Sequence, residues 1–187
     1  AVKRFADKER LDYLDAELYN VLEPFPQTQK FDCFYTNPPW GASNGGASVN
    51  AFVQRGIEAI HYEGEGCVVI ADDDELDWPK QVLANVQSYA SQRGFYVSRM
   101  ARKLHGYHLD DAPDLKSCNL FLSSLPGNGE KLVASKALTD PEGLRNFYGS
   151  SKEPRVRYVR ELKRPDYGKA PEDEYRLELF ELEGKQA

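Results

Sequence analysis

Asn37-Pro38-Pro39-Trp40 is the stretch of this chain whose residue types and spacing are best suited to chemistry. Two consecutive prolines remove two backbone N–H donors and fix two φ angles, leaving carbonyl oxygens that can point outward without competing donors beside them. The Asn37 side-chain oxygen adds a second acceptor, and the Trp40 ring offers a face for a planar base or a cation. Together such groups can hold an amine nitrogen with its lone pair aimed at an electrophile. Gly41 follows and opens a small-residue stretch to Gly46, read either as a segment that moves over a substrate or as an ordinary surface loop. The plain alternative for the tetrapeptide is a rigid turn. The strand-like residues before it weigh against that, because a motif counts only in its structural context.

Two further clusters are candidates. Asp72-Asp73-Asp74-Glu75 follows an apolar run directly, and like charges so close repel unless something offsets them. A bound polycation would do so; the competing reading is a solvated strand-to-helix turn with Asp77 as a helix cap. Asp72, nearest the strand end, is the member expected to face a site, with Asp73 as a binding neighbour. His105-Gly106-Tyr107-His108-Leu109-Asp110-Asp111 mixes aromatic and acidic groups, the lining expected of a pocket that strips water from an ammonium while pairing its charge. Tyr107, His108 and Asp111 are then substrate contacts, and Asp110, like Asp72, is a carboxylate able to take a proton. An exposed polar loop is the alternative. Two histidines three apart raise the question of a metal, but no cysteine or further histidine lies at ligand spacing, so no metal is expected.

These residues need elements to position them. Residues 31–36 are aromatic and β-prone, which predicts a strand delivering the Pro-Pro loop. Phe52, Val53, Ile57 and Ile60 recur at helical spacing before Gly64, and 66–71 form a short continuous apolar run typical of a strand covered on both faces. Asp77 and Pro79 open a second helix with Val82, Leu83, Val86 and Ala90 on one face. Residues 95–104 and 117–122 read as late strands joined by a long loop, hence an antiparallel pair at the sheet edge. Alternating strands and helices predict a mostly parallel α/β sheet, whose ligands bind beyond the carboxyl ends of the strands. In 10–22 a period of two competes with a helical one, and residues 2–9 look like the end of a helix already under way.

The bulk properties bound the rest. The 187 residues, 41% of them hydrophobic, suffice for a real core. A net charge of −6, with no basic stripe in the first 125 residues, disfavours nucleic acid and favours a cationic partner. No signal-like or membrane-spanning stretch is present, so the cytoplasm is the default location and no membrane association is expected. Cys33, Cys67 and Cys118 lie in or beside apolar runs and are read as reduced and buried. Past Pro126 the composition shifts to Gly, Lys, Glu and Pro, which divides the chain into a catalytic part, 1–125, and a C-terminal extension, 126–187. The alternating tail from Tyr175 to Leu182 is either a strand or an interface arm, so a homodimer is one expectation. The opening at Ala1 suggests a fragment of a longer protein.

Residues 37–40, placed after their strand, resemble the amine-binding Asn/Asp-Pro-Pro-aromatic signature of class I S-adenosylmethionine-dependent enzymes. Over roughly residues 1–125, the segment 31–41, the helix and strand after it, and 105–118 resemble the branched-chain polyamine synthases. The resemblance implies the C-terminal half of a Rossmann-like class I methyltransferase fold, with decarboxylated S-adenosylmethionine as co-substrate and spermidine or a related polyamine as acceptor. Asn37 and Pro38 would then touch both amine and donor, with Pro39, Trp40 and Gly41 beside the substrate. Family members usually carry Asp where Asn37 stands. An amide is not a base, so proton acceptance falls to Asp72 or Asp110. The family's Gly-Asp-Asp-Asp loop belongs upstream and is absent from this chain. Two alternatives stay open: an S-adenosylmethionine-dependent N-methyltransferase acting on adenine or protein Gln, which on nucleic acid would need a basic cleft supplied by an N-terminal part or by Arg155, Arg157, Arg160, Lys163 and Arg164, and a non-catalytic binding or dimerisation module.

Overall fold

A computed structural model describes residues 2–17, 19–26, 29–40, 44–106, 115–131, 133–138, 159–161 and 177–179. The chain divides into two compact units, residues 1–151 and 152–187. Helix α1 (Val2–Glu9) opens the first. The described residues between it and Pro26 form turns, so neither of the two competing periods in 10–22 wins. Then come β1 (Cys33–Thr36), α2 (Ala47–Ala59), β2 (Glu65–Ala71), α3 (Asp77–Ser91), β3 (Phe95–Gly106) and β4 (Lys116–Ser124). In the second unit β5 (Val159–Glu161) and β6 (Leu177–Leu179) pair antiparallel.

The four strands of the first unit lie in the order β1-β2-β4-β3. β1 and β2 are parallel, and β4 runs antiparallel to both β2 and β3. Three strands therefore share one direction and only β4 opposes them. The late antiparallel pair does sit at the edge, with β4 slotted inside and β3 outermost. This is the layout of the second half of a Rossmann-like α/β sheet: a β-α-β crossover, a second helix, and an antiparallel closing pair.

Alternation sorts the side chains onto two faces. Val68 and Ile70 of β2, Cys118, Leu120 and Leu122 of β4 and Phe95 of β3 meet Val49, Val53 and Ile57 of α2 and Val82, Val86 and Ala90 of α3 in one buried cluster. Both helices thus cover the same face. On the opposite face Val69 and Ala71 are also fully buried, as the continuous apolar run of β2 requires. Cys33 departs from expectation: it lies exposed on β1, Cys67 is half-buried, and Cys118 is buried. Burial pushes the Cys118 thiol up to about 11 and the Cys67 thiol up as well.

The start of α2 explains how the loop before it is held. Gly46, its N-cap, has φ 92, a left-handed value that L side chains rarely adopt, and a side chain there would press on Val82. Asn44 Oδ1 accepts from the Gly46 N–H at 3.1 Å. At the other end, α3 starts at Asp77 with Leu76 as the flanking residue, so Asp77 lies inside the first turn rather than capping it. There it pairs with Lys80 at 3.3 Å.

Residues assigned by composition to the C-terminal extension are packed into the first unit. Ser135 Oγ donates to Glu58 Oε2 at 2.7 Å and accepts from Arg55 Nη1 at 2.9 Å, and the Lys136 carbonyl accepts from Arg55 Nη2 at 2.9 Å. Arg55 and Glu58 form an ion pair at 2.7 Å with side chains only 5% and 4% exposed. The Val21 carbonyl accepts from Arg55 Nε, and the Leu138 N–H donates to the Leu22 carbonyl. One buried ion pair on α2 therefore ties down two irregular segments that bury little apolar surface of their own.

Candidate functional site

β1, β2 and β3 all end at the same edge of the sheet, so the three segments singled out above begin along one edge, those after β1 and β2 on neighbouring strands and that after β3 on the far side of β4. Asn37 follows β1, Asp72 follows β2, and the 107–114 segment leaves β3 after Gly106. Of that segment Tyr107, His108, Asp110 and Asp111 lie outside the described residues, as does Gly41. Its two anchors, Gly106 and Lys116, face each other at that edge.

The Pro-Pro loop is fixed at two points. Ser48, wholly buried at the start of α2, donates its hydroxyl to the Pro39 carbonyl at 2.7 Å. The β1–β2 ladder ends at Thr36 opposite Val68, and one residue on, Trp40 Nε1 donates to the Val69 carbonyl at 3.0 Å. The half-buried indole also packs against the cluster under the helices. Trp40 is therefore an anchor of the loop, held by one edge and one face, an arrangement that its sequence neighbours do not reveal. Pro38 is buried and Asn37 exposed. The Pro39 carbonyl is occupied by Ser48.

Asp72 is differently occupied from what the acidic run suggested. Its carboxylate, 2% exposed, accepts from Arg102 Nη2 at 2.7 Å and Nε at 3.2 Å, and from the Lys103 backbone N–H at 2.9 Å. Asp74 binds Arg102 at 2.7 Å and also pairs with Lys103, whose hydrogen bond does most to bring the Asp74 carboxyl down to about 2. The same contacts, that to Asp72 first, hold the Arg102 guanidinium firmly protonated. Asp73 turns the chain into α3: its Oδ1 accepts from the N–H groups of Leu76 and Glu75, which keep its carboxyl below the usual range. The repulsion within the run is thus offset by the protein's own cations. Arg102 and Lys103 stand about 30 residues from the acidic run, so no local pattern links them to it; they lie where β3 bulges between Ala101 and His105, with Lys103 at φ 51. A groove of about 360 Å³ lies between this cluster and α3, floored by Leu83, Ala84 and Met100.

On the face away from the helices, two polar atoms near this edge have no partner. Ser117 Oγ and Asn119 Oδ1, two residues apart on β4, are shut off from solvent without a hydrogen bond. Leaving such atoms unpaired costs about 1–3 kcal/mol each, so their retention asks for an explanation. No pattern in the sequence marks them, because the alternation of 117–122 reads simply as strand.

Among the described residues, no group of three or more His, Cys, Asp or Glu is arranged to hold a metal, and no helix is long and apolar enough to cross a membrane.

The family described as the branched-chain polyamine synthase A C-terminal domain matches residues 1–176. The chain belongs to that family. Curated proteins give no match. Among solved structures, this chain is similar to an O-methyltransferase from neocarzinostatin biosynthesis in complex with S-adenosylmethionine and 2-hydroxy-5-methyl naphthoic acid. That similarity has 16% identity and a TM-score of 0.44 and covers 66% of this chain and 37% of that one. The same enzyme with S-adenosyl-L-homocysteine and 1,4-dihydroxy-2-naphthoic acid gives 18% identity, a TM-score of 0.43 and coverage of 66% and 38%. The chain thus spans well under half the length of these proteins.

Proposed function

We propose that this domain carries the amine-accepting side of an aminopropyl transferase, moving the aminopropyl group of decarboxylated S-adenosylmethionine onto an amine of spermidine or a related polyamine. One observation carries the reading: Asn37-Pro38 stands at the carboxyl end of a parallel strand, on a loop anchored just beyond them at the Pro39 carbonyl and the Trp40 indole, within a member of the polyamine synthase family. A rigid loop of this kind presents acceptors at a fixed position, which is what aligning a nucleophile requires.

In the reaction, the amine nitrogen forms a bond to the carbon attached to the sulfonium sulfur. The carbon–sulfur bond breaks, its electrons go to sulfur, and methylthioadenosine leaves. Asn37 Oδ1 and the Pro38 carbonyl hold the amine through its N–H groups and leave its lone pair directed at that carbon. The amine must first lose a proton. Asp110, one of the carboxylates on the segment between β3 and β4, receives it; Asp72 instead holds Arg102 and shapes the edge. An excess of acidic over basic residues, 30 against 24, favours a cationic acceptor.

The test is to incubate the full-length protein with spermidine and decarboxylated S-adenosylmethionine, and separately with S-adenosylmethionine, and to weigh the products. A gain of one aminopropyl unit from the decarboxylated donor is the expected result. A gain of a methyl group, or no gain with either donor, overturns the proposal.

A further inference from the structure

Across the sheet, Val69 of β2 lies opposite Asn119 of β4, which in turn lies opposite Ala101 of β3. The next row toward the carboxyl edge is Ala71, Ser117 and His105. Cys118 between them belongs to the cluster under the helices, so Ser117 and Asn119 share the other face. β1 alternates likewise: Phe34 packs under the helices and Tyr35 is exposed on the far face, and Asn37 follows the end of this strand at the same edge.

The far face therefore holds, at the edge where the Pro-Pro loop begins, two polar atoms without partners and a floor of small apolar residues. Ser117 is 0% exposed, and Val69 and Ala71 are equally buried. Asn119 Oδ1 can only accept a hydrogen bond, and Ser117 Oγ can accept or donate, so the group that completes them brings N–H or O–H donors. The side chains paired beside them, Val69, Ala71 and Ala101, carry no polar atoms that could complete them. With strands about 4.8 Å apart, Asn119 stands roughly 10 Å from β1, a separation that an extended chain with amines along its length can bridge.

We infer that Ser117 and Asn119 form a second amine-binding position, gripping a nitrogen of the acceptor remote from the one that reacts at Asn37. The inference rests on the aminopropyl-transfer reading for the identity of the acceptor, and deepens it by naming what fixes the acceptor's far end. Both groups are neutral and pair no charge, and Arg99, the cation of the adjoining row on this face, is held over the Phe121 ring; the pair therefore acts through hydrogen bonds placed where water does not compete, and there a single one counts for more. The other two unpartnered buried atoms among the described residues, Asn50 Oδ1 and His61 Nε2, stand on other elements and form no such pair.

The test uses the full-length protein with Ser117→Ala and Asn119→Leu, singly and together, and reads three quantities. Titration calorimetry with spermidine alone measures acceptor affinity, steady-state kinetics separates KM from kcat, and a thermal melt reports folding. The double variant should bind spermidine roughly tenfold more weakly or worse, with KM raised in proportion, kcat nearly unchanged, and a melting temperature equal to or above that of the parent, since unpaired buried polar atoms have been removed. Unchanged affinity with a raised melting temperature means that the pair holds only water, and overturns the inference while leaving aminopropyl transfer standing. A parent protein that gives no heat with spermidine and no transfer sinks both. Should the double variant unfold, Asn119→Asp decides: it should tighten spermidine binding in a salt-sensitive way, and no change or a loss overturns the inference.

Discussion

Asn37 and Asp72 follow neighbouring parallel strands, yet the structure gives them opposite circumstances. Asn37 is exposed at the mouth of a rigid loop, whereas Asp72 is buried with its oxygens taken by Arg102 and the Lys103 backbone. Their variants should separate accordingly. On the proposed role, Asn37→Ala removes an acceptor for the amine, so turnover should fall by roughly a hundredfold or more, an effect far larger than the small change in stability expected at an exposed position. Asp72→Asn breaks the pairing of a buried group and should cost about 1–3 kcal/mol of stability, while the folded fraction keeps most of its turnover; the reverse pattern would make Asp72 the catalytic carboxylate. Asp74 sets a pH dependence. Its folded-state pKa of about 2 lies below the ordinary 3.8, so the stability it contributes is fully present above about pH 4 and is lost as pH falls through 2. Melting temperatures measured between pH 5 and pH 2 should therefore drop less steeply for Asp74→Asn than for the parent.

The elements depend on close approaches that side-chain patterns alone do not announce. The Phe34 ring of β1 is held between Gly56 of α2 and Gly66 of β2, and a methyl group at either glycine would fall well inside van der Waals contact with the ring. A glycine inside a helix costs about 1 kcal/mol relative to alanine, so Gly56 is retained for the room it leaves. Gly56→Ala and Gly66→Ala should each lower stability by about 1–3 kcal/mol through overpacking and depress activity by tilting β1 and the loop it delivers. Phe34→Leu should recover part of the loss in the Gly56→Ala background. Urea midpoints for the three variants check this, and an unshifted midpoint for Gly56→Ala would mean that the ring has room to move. The same contrast explains what was legible beforehand. The apolar spacing of Phe52, Val53, Ile57 and Ile60 and the run from Gly66 to Ala71 locate α2 and β2, because burial writes its period into consecutive residues. The partners of Asp72, the anchoring of Trp40 on Val69 and the unpaired atoms of β4 arise between residues that only the fold brings together, and leave no local mark.

At the scale of the whole molecule, composition and packing divide the chain at different places. The compositional change at Pro126 is real, but Ser135 and the Lys136 carbonyl complete the shell of the Arg55–Glu58 pair, and Asn128 Nδ2 donates to the Tyr62 and Arg93 carbonyls at 2.9 Å each. Both ions are buried, so they tolerate little loss of partners. Two truncations of the full-length protein test which boundary matters. Removing 152–187 takes away the second compact unit and leaves every one of these hydrogen bonds. Removing 126–187 strips the ion pair of the Ser135 hydroxyl and the Lys136 carbonyl and frees the carbonyls that Asn128 serves. Each orphaned partner costs about 1–3 kcal/mol, and one kcal/mol shifts the melting temperature of a chain of this size by about 2–4 °C. The shorter product should therefore melt at least about 5 °C below the longer one, with the longer one close to the parent. Equal melting temperatures for the two truncations would show that α2 keeps its ion pair satisfied without the 126–138 segment, and that the compositional boundary is the physical one after all.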